Sequence, residues 1–134
     1  MKTVYVDIVG DLFHYGHVRF FKQALENGDR LIVGVMSDEE CEKYKRKPIL
    51  NIEERCESIR ACKYVHLVIP NAPMPITKLF MERYNIDVVC HGDDMSKQDI
   101  SHWYIEPIKQ GKYVSTKYTK SISTSDIIKR CKSV

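Results

Sequence analysis

Thr3-Val4-Tyr5-Val6-Asp7-Ile8-Val9, running through Gly10-Asp11-Leu12-Phe13 into His14-Tyr15-Gly16-His17, is the stretch whose reading decides the fold. The apolar run Thr3–Val9 has the composition of a buried strand. Gly16–Asn27 places Phe20, Phe21, Ala24 and Leu25 at helical spacing, so a strand feeds a helix here. Two imidazoles one helical turn apart at such a junction suit a phosphate. Gly16 lets the backbone approach a ligand, and the free N–H groups and positive dipole end of the helix would face an anion. The same H-x-x-H spacing also occurs as plain packing on a helix face, so the strand-to-helix context carries the reading.

Outward from this stretch the alternation repeats. Arg30–Met36, His66–Ile69, Asp87–His91 and Tyr113–Lys117 are Val- and Ile-rich runs bounded by polar residues, as strands buried on both faces require. Asp38–Lys43, Ile52–Cys62, Ile76–Tyr84, Ile100–Gln110 and Thr124–Lys132 lie between or after them with helical spacing. The pattern predicts an α/β chain: a parallel sheet of five strands with helices on both faces. Ser37-Asp38-Glu39-Glu40 and Asn51-Ile52-Glu53-Glu54 read as capped helix starts, and Gly28 and Gly111 as helix stops. Pro107 removes a hydrogen bond inside its helix and should kink it. The 134 residues fit one domain, residues 1–134, without repeats, low-complexity tracts or linkers.

Lys and Arg number 21 against 18 Asp and Glu, a formal +3 that is too mild to argue for a nucleic-acid partner. The five cysteines, Cys41, Cys56, Cys62, Cys90 and Cys131, are odd in number and lack C-x-x-C spacing, as expected of small hydrophobes in a reducing cytosol. No stretch approaches the roughly 18 apolar residues of a membrane span, and no signal-peptide core opens the chain. The expectation is a soluble, cytoplasmic protein.

In an open parallel sheet the ligand sits beyond the carboxyl ends of the strands, where strand order reverses. That rule gathers Asp11, His14 and His17, then His91-Gly92-Asp93-Asp94, then Ser121-Ile122-Ser123-Thr124-Ser125-Asp126. Ser123 and Thr124 open a second helix, either as hydroxyl donors for β- and γ-phosphates or as an ordinary N-cap. Lys43-Tyr44-Lys45-Arg46-Lys47-Pro48, with Arg55 beyond it, is either a solvated charge run or a cationic lid over phosphates.

Asp11-x-x-His14-x-Gly16-His17, Lys45 ten residues before Arg55 in Glu53-Glu54-Arg55, Lys63-Tyr64-Val65, Asn71-Ala72-Pro73, His91-Gly92-Asp93-Asp94 and Ile122-Ser123-Thr124-Ser125-Asp126 recur together in one order and spacing. This set, covering nearly the whole chain, resembles the cytidylyltransferase family of phosphocholine, phosphoethanolamine and glycerol-3-phosphate enzymes. The resemblance implies a Rossmann-like, doubly wound nucleotidyltransferase fold. It also implies CMP transfer from CTP, accompanied by Mg²⁺, to a small phosphomonoester by in-line attack. His14 and His17 would donate to the α-phosphate, Lys45 would bridge the reacting phosphates, and Arg55 with Ser123 and Thr124 would hold the departing pyrophosphate. Asp11 would brace the site, Asp93 or Asp94 with nearby backbone would read the cytosine edge, and His91 and Gly92 would belong to the nucleotide site. Val9, Gly10, Gly16, Tyr118, Thr119, Lys120 and Ile122 would complete the nucleotide site, and Asp7, Met74 and Tyr104 would meet the acceptor, with no metal ligand from the protein.

Departures accompany the match. Gly10 lies two residues later than the family glycine, Tyr118 stands where an arginine is usual and Ser121 where a glycine is, so Lys117 or Lys120 would supply the lost charge. Arg46 replaces a glycine. Lys63-Tyr64-Val65-His66 replaces Arg-Tyr-Val-Asp, a dimer-interface motif, and a homodimer is expected. Met74 takes the place of a tryptophan in the choline enzymes. Trp103 and Tyr104 would then form part of a choline cage or merely pack their helix. Phosphoethanolamine is favoured over phosphocholine and glycerol 3-phosphate. A nucleotide-binding pseudoenzyme and an adenylyltransferase are the alternatives.

Overall fold

The structure, a computed structural model, describes residues 1–117 and 122–134. Five strands, β1 (Thr3–Ile8), β2 (Arg30–Val35), β3 (Leu67–Pro70), β4 (Val88–Gly92) and β5 (Tyr113–Thr116), pair in parallel in the order β3-β2-β1-β4-β5. The helices among the described residues are α1 (Tyr15–Leu25), α2 (Asp38–Tyr44), α3 (Ile52–Arg60), α4 (Lys78–Arg83), α5 (Lys97–Trp103), α6 (Ile105–Lys109) and α7 (Thr124–Lys132).

Alternation along β1 divides the core, because successive side chains of a strand leave opposite faces. Val4 and Val6 join Phe21 and Ala24 of α1 and Cys56 and Ile59 of α3 on one face. Tyr5 joins Ile32, Val89, Met81 of α4 and Tyr104 on the other. Helices therefore cover both faces, and the doubly wound α/β expectation holds. Asp7 follows Tyr5 by two residues, so the same period carries a carboxylate onto the Tyr104 face at the end of the central strand.

Local chemistry explains where elements begin and stop. The Ser37 side chain accepts from Glu40 N at 3.1 Å, and Asn51 and Glu54 cap each other reciprocally at 2.9 and 3.0 Å. Strand β3 lies one residue later than the expected His66–Ile69. The expected Ile76–Tyr84 helix starts only at Lys78, because the Thr77 side chain caps it by accepting from Phe80 N at 3.1 Å. The single Ile100–Gln110 helix is corrected to two helices. The chain breaks at Tyr104 (φ −118°, ψ 23°), which leaves Pro107 in the first turn of α6, where no intrahelical N–H is needed.

Candidate active site

Strand order reverses across β1, with β2 on one side and β4 on the other, and two cavities open there beyond the strand ends. A histidine cavity of about 280 Å³ is lined by His14, Gly16, His17, Thr116, Ser123 and Thr124, among others. An acidic cavity of about 300 Å³ is lined by Glu40, Met74, Asp99, Trp103 and Tyr104, among others. Asp7, Ile8, His91 and Asp94 belong to both, so one wall separates two chemically different spaces.

Helix α1 begins one residue before the expected Gly16, at Tyr15, with His14 as its N-cap. Gly16 N donates to His14 Nδ1 at 3.1 Å, and His14 N donates to His17 Nδ1 at 3.1 Å. The expectation that these helix-start N–H groups are free for an anion is thereby corrected: the imidazoles take two of them. Since both Nδ1 atoms accept, the neutral rings carry their proton on Nε2, the nitrogen left for a ligand. Burial, helped by neighbouring His14 and opposed by Asp11, pulls His17 down to about 4, and burial also lowers His14. Both rings are thus uncharged hydrogen-bond donors near neutral pH. The ring centroids lie 3.9 Å apart. A Cβ at Gly16 would sit 2.8 Å from His14 Cε1 and 2.9 Å from the Ile122 carbonyl oxygen, so this glycine makes room for the ring and for the residue beside α7 rather than for a ligand alone.

The walls are braced from below. Asp11 accepts from Ile49 N at 2.9 Å, Leu50 N at 3.0 Å and Arg46 Nη1 at 3.1 Å, while Thr124 Oγ1 donates to the Asp11 carbonyl at 2.9 Å. The Asp11 carboxylate is thereby committed to bracing the loop before α3. Arg55 is fully buried. It donates to the carbonyls of Leu50 (3.0 Å), Val9 (2.7 Å) and Met36 (2.8 Å) and to Asp38 Oδ1 (2.5 Å). It clamps the carboxyl ends of β1 and β2 together, and its expected contact with pyrophosphate is corrected to a bracing role. Gly10, at φ +69°, completes this turn: a Cβ there would meet Ile59 Cδ1 at 2.8 Å.

The other expected site residues divide. Gly92, Ile122 and Asp94 line the histidine cavity, but Asp93 does not line either one. Lys45 is exposed on its loop and lines neither cavity, while Arg46 beside it is tied to Asp11, so the cationic loop is not folded over the site as a lid. Ser123 Oγ accepts from Asp126 N at 3.1 Å and Asp126 caps Ser123 N in return, the ordinary N-cap reading of that segment. Tyr118, Thr119, Lys120 and Ser121 lie outside the described residues.

In the acidic cavity, Tyr104 Oη donates to Asp7 Oδ1 at 2.6 Å, while Asp7 Oδ2 is buried with no partner. Burial raises Asp7, against the lowering influence of the Tyr104 hydrogen bond and of His91. The described residues lining this cavity include four carboxylates, Asp7, Glu40, Asp94 and Asp99, and no Lys or Arg. Glu40 and Asp99 were missed from sequence because each falls in the first turn of a helix, where an acid is explained by the dipole alone. His91 Nδ1 lies 2.9 Å from the Gly92 carbonyl, which can only accept, so its tautomer is opposite to that of His14 and His17.

Fold and cavities together define a doubly wound α/β domain with a composite site at its topological switch point. The chain belongs to the cytidylyltransferase-like family, whose model matches residues 11–130. It is 40% identical over 128 residues to ethanolamine-phosphate cytidylyltransferase of Dictyostelium discoideum, covering 95% of this chain and 36% of that protein. It is 42% identical over 130 residues to a probable choline-phosphate cytidylyltransferase of Schizosaccharomyces pombe, again covering 95% and 36%. The chain thus spans about a third of the length of these curated relatives. Among solved structures, the lipopolysaccharide core biosynthesis protein of Thermoplasma volcanium shares the fold, with a TM-score of 0.74 at 22% identity over 90% of this chain and 99% of that one.

Proposed function

We propose that this chain transfers CMP from CTP to a small phosphomonoester bearing an ammonium group, phosphoethanolamine being favoured, and releases pyrophosphate. One observation carries the reading: at Asp7 and His91, a cavity offering uncharged N–H donors meets a cavity walled by carboxylates. The relatives named for ethanolamine and choline phosphates support it.

An oxygen of the acceptor phosphate attacks the α-phosphorus of CTP. The new P–O bond forms, the bond to the β-phosphate bridging oxygen breaks, and pyrophosphate leaves with the electron pair. No covalent enzyme intermediate is required. The Nε2–H groups of His14 and His17 stabilise charge building on the α-phosphate oxygens, so catalysis is positioning plus electrostatics. Lys45 would bridge the reacting phosphates once its loop folds over the bound substrates. Mg²⁺, which in this reading would accompany the triphosphate rather than a set of protein ligands, would supply charge neutralisation at the phosphates.

The acceptor preference follows from the wall. A primary ammonium presents three N–H donors to Asp7, Glu40, Asp94 and Asp99, whereas a quaternary one presents none and relies on aromatic faces. Met74 contributes no ring, although Tyr44, Trp103 and Tyr104 stand in the same lining. Glycerol 3-phosphate brings no cation for the carboxylates. We also infer a homodimer through Lys63–His66, which leads into the edge strand β3 with Leu67 39% exposed. A reducing, cytoplasmic setting is supported by the five unpaired cysteines.

Pyrophosphate release with CTP or ATP, Mg²⁺ and each of the three phosphomonoesters tests the reading. CTP with phosphoethanolamine should be fastest, and His17→Ala and Lys45→Ala should each cost on the order of 10²–10³ in kcat. Equal use of ATP would favour an adenylyltransferase, and tight CTP binding without turnover a pseudoenzyme.

A further inference from the structure

A triphosphate carries several negative charges, yet the two histidines of the cavity supply none to balance them. His14 and His17 are neutral donors, and the cavity also includes the carboxylates of Asp7 and Asp94. Arg55 is sealed beneath the sheet ends, Arg46 is paired with Asp11, and Lys45 is not in the lining. Among the described residues that line the cavity, the cations are Arg19 and Lys117.

Their placement is not incidental to the fold. Gly16, Arg19, Phe20 and Gln23 follow the i, i+3, i+4, i+7 rule, and these four line the cavity, so one face of α1 forms its wall with Arg19 on it. The Arg19 guanidinium lies 4.9 Å from the centroid of the Tyr15 ring, a cation–π contact that restrains a side chain otherwise open to solvent. Lys117 reaches the cavity from the end of β5, beside Thr116, whose hydroxyl donates to the His91 carbonyl at 3.3 Å. A planar fork on one element and a mobile point charge on another converge on the space beyond the histidines.

We infer that Arg19 and Lys117 bind the phosphates of CTP beyond the α-phosphate, the guanidinium as a bidentate clamp and the ammonium as a point charge. This rests on the cytidylyltransferase reading, and it makes both residues binding groups rather than catalytic ones. The affinity gained on lengthening the nucleotide from CMP to CTP should therefore run through them.

Calorimetric titration of the protein with CMP, CDP and CTP in Mg²⁺, without acceptor, tests the assignment. Arg19→Ala and Lys117→Ala should each weaken CTP about tenfold or more, as loss of a charge-assisted phosphate contact does, and leave CMP nearly unchanged. Arg19→Lys should recover part of the loss. In steady state both alanine variants should raise KM for CTP at unchanged kcat. Both side chains are exposed, so folding is not at stake, and thermal melts check it. A wild-type gain from CMP to CTP that survives both substitutions, or an equal loss for all three nucleotides, would overturn the assignment while leaving the proposed function standing. A wild-type protein that binds CMP and CTP equally would overturn both.

Discussion

Asp7 and Asp11 stand four residues apart at the carboxyl end of β1, and both are buried, at 6% and 2% exposure. Their surroundings differ. Burial alone would raise Asp11, but the N–H groups of Ile49 and Leu50, then Arg46, outweigh it and hold the carboxyl below its usual range. Asp7 has one hydrogen bond, from Tyr104, and an orphaned oxygen, so burial prevails and raises it. A buried carboxylate with a full set of donors is architecture. One that the fold leaves half-partnered, on a cavity wall, keeps an acceptor open to a donor from outside, which is the role the proposed function gives Asp7. Arg55 and Arg19 repeat the contrast among cations.

The sharpest way to break that distinction is Arg55→Leu. It strips the donor from the carbonyls of Val9, Met36 and Leu50 and leaves Asp38 unpaired, which should cost about 3–5 kcal/mol, a large part of the ~5–15 kcal/mol that holds a domain folded. Urea denaturation measures it. A loss below about 1 kcal/mol, together with weakened CTP binding, would return Arg55 to the ligand side of the comparison. Asp7→Asn should do the reverse. It should lower kcat/KM for phosphoethanolamine about 100-fold, near 2.7 kcal/mol, while stability and CTP affinity stay put. If Asp7→Asn unfolds the protein as readily as Asp11→Asn, the orphaned oxygen has no functional meaning.

Much of this contrast was open to sequence reading, and part of it was closed for identifiable reasons. The alternation of apolar runs with helical segments showed the number of strands and their parallel pairing, since both rest on periodicity, whereas the order β3-β2-β1-β4-β5 came only from the structure. Asp11, His14 and His17 could be singled out because they sit together in one short segment. Arg55 was misjudged because a cation in sequence looks the same whether it meets a phosphate or three carbonyls. Only the approach of Val9, Met36 and Leu50 around it decides. Glu40 and Asp99 belong to different helices and converge through topology alone. The break at Tyr104 was foreseen as a kink at Pro107, because proline announces a disruption but the position of the new helix start is set by tertiary packing.

Acid should sharpen the histidine side of the comparison. Near pH 7 His17 is neutral folded and largely neutral unfolded. Between an unfolded value near 6.5 and the folded value of about 4, the unfolded chain binds the extra proton, so stability falls as pH falls through that window. The slope is at most about 1.4 kcal/mol per pH unit from this group. His17→Asn, which keeps an acceptor for His14 N, should flatten the curve between pH 6.5 and 4 in denaturation at stepped pH. An unchanged slope would show that His17 is not the buried neutral donor the mechanism needs.

The smallest expected effect separates an orphan with a role from one without. Tyr5 Oη is buried and unpartnered, like Asp7 Oδ2, but it lines neither cavity at the site. It occupies the space that Gly34 leaves open, where any Cβ would collide with it, and its ring packs edge-on against Phe80 at 5.1 Å. Tyr5→Phe keeps that ring and removes a desolvated hydroxyl, so it should be neutral or stabilising by up to about 1 kcal/mol, with unchanged KM for both substrates. Tyr104→Phe removes a hydroxyl that holds Asp7 Oδ1, so it should raise the acceptor KM while leaving the CTP KM alone. Thermal melts and paired KM measurements on the two variants decide it. A Tyr5→Phe protein that loses acceptor affinity as Tyr104→Phe does would mean that the buried tyrosines act as one unit around Asp7. The acceptor site would then extend through the sheet face rather than ending at the cavity wall.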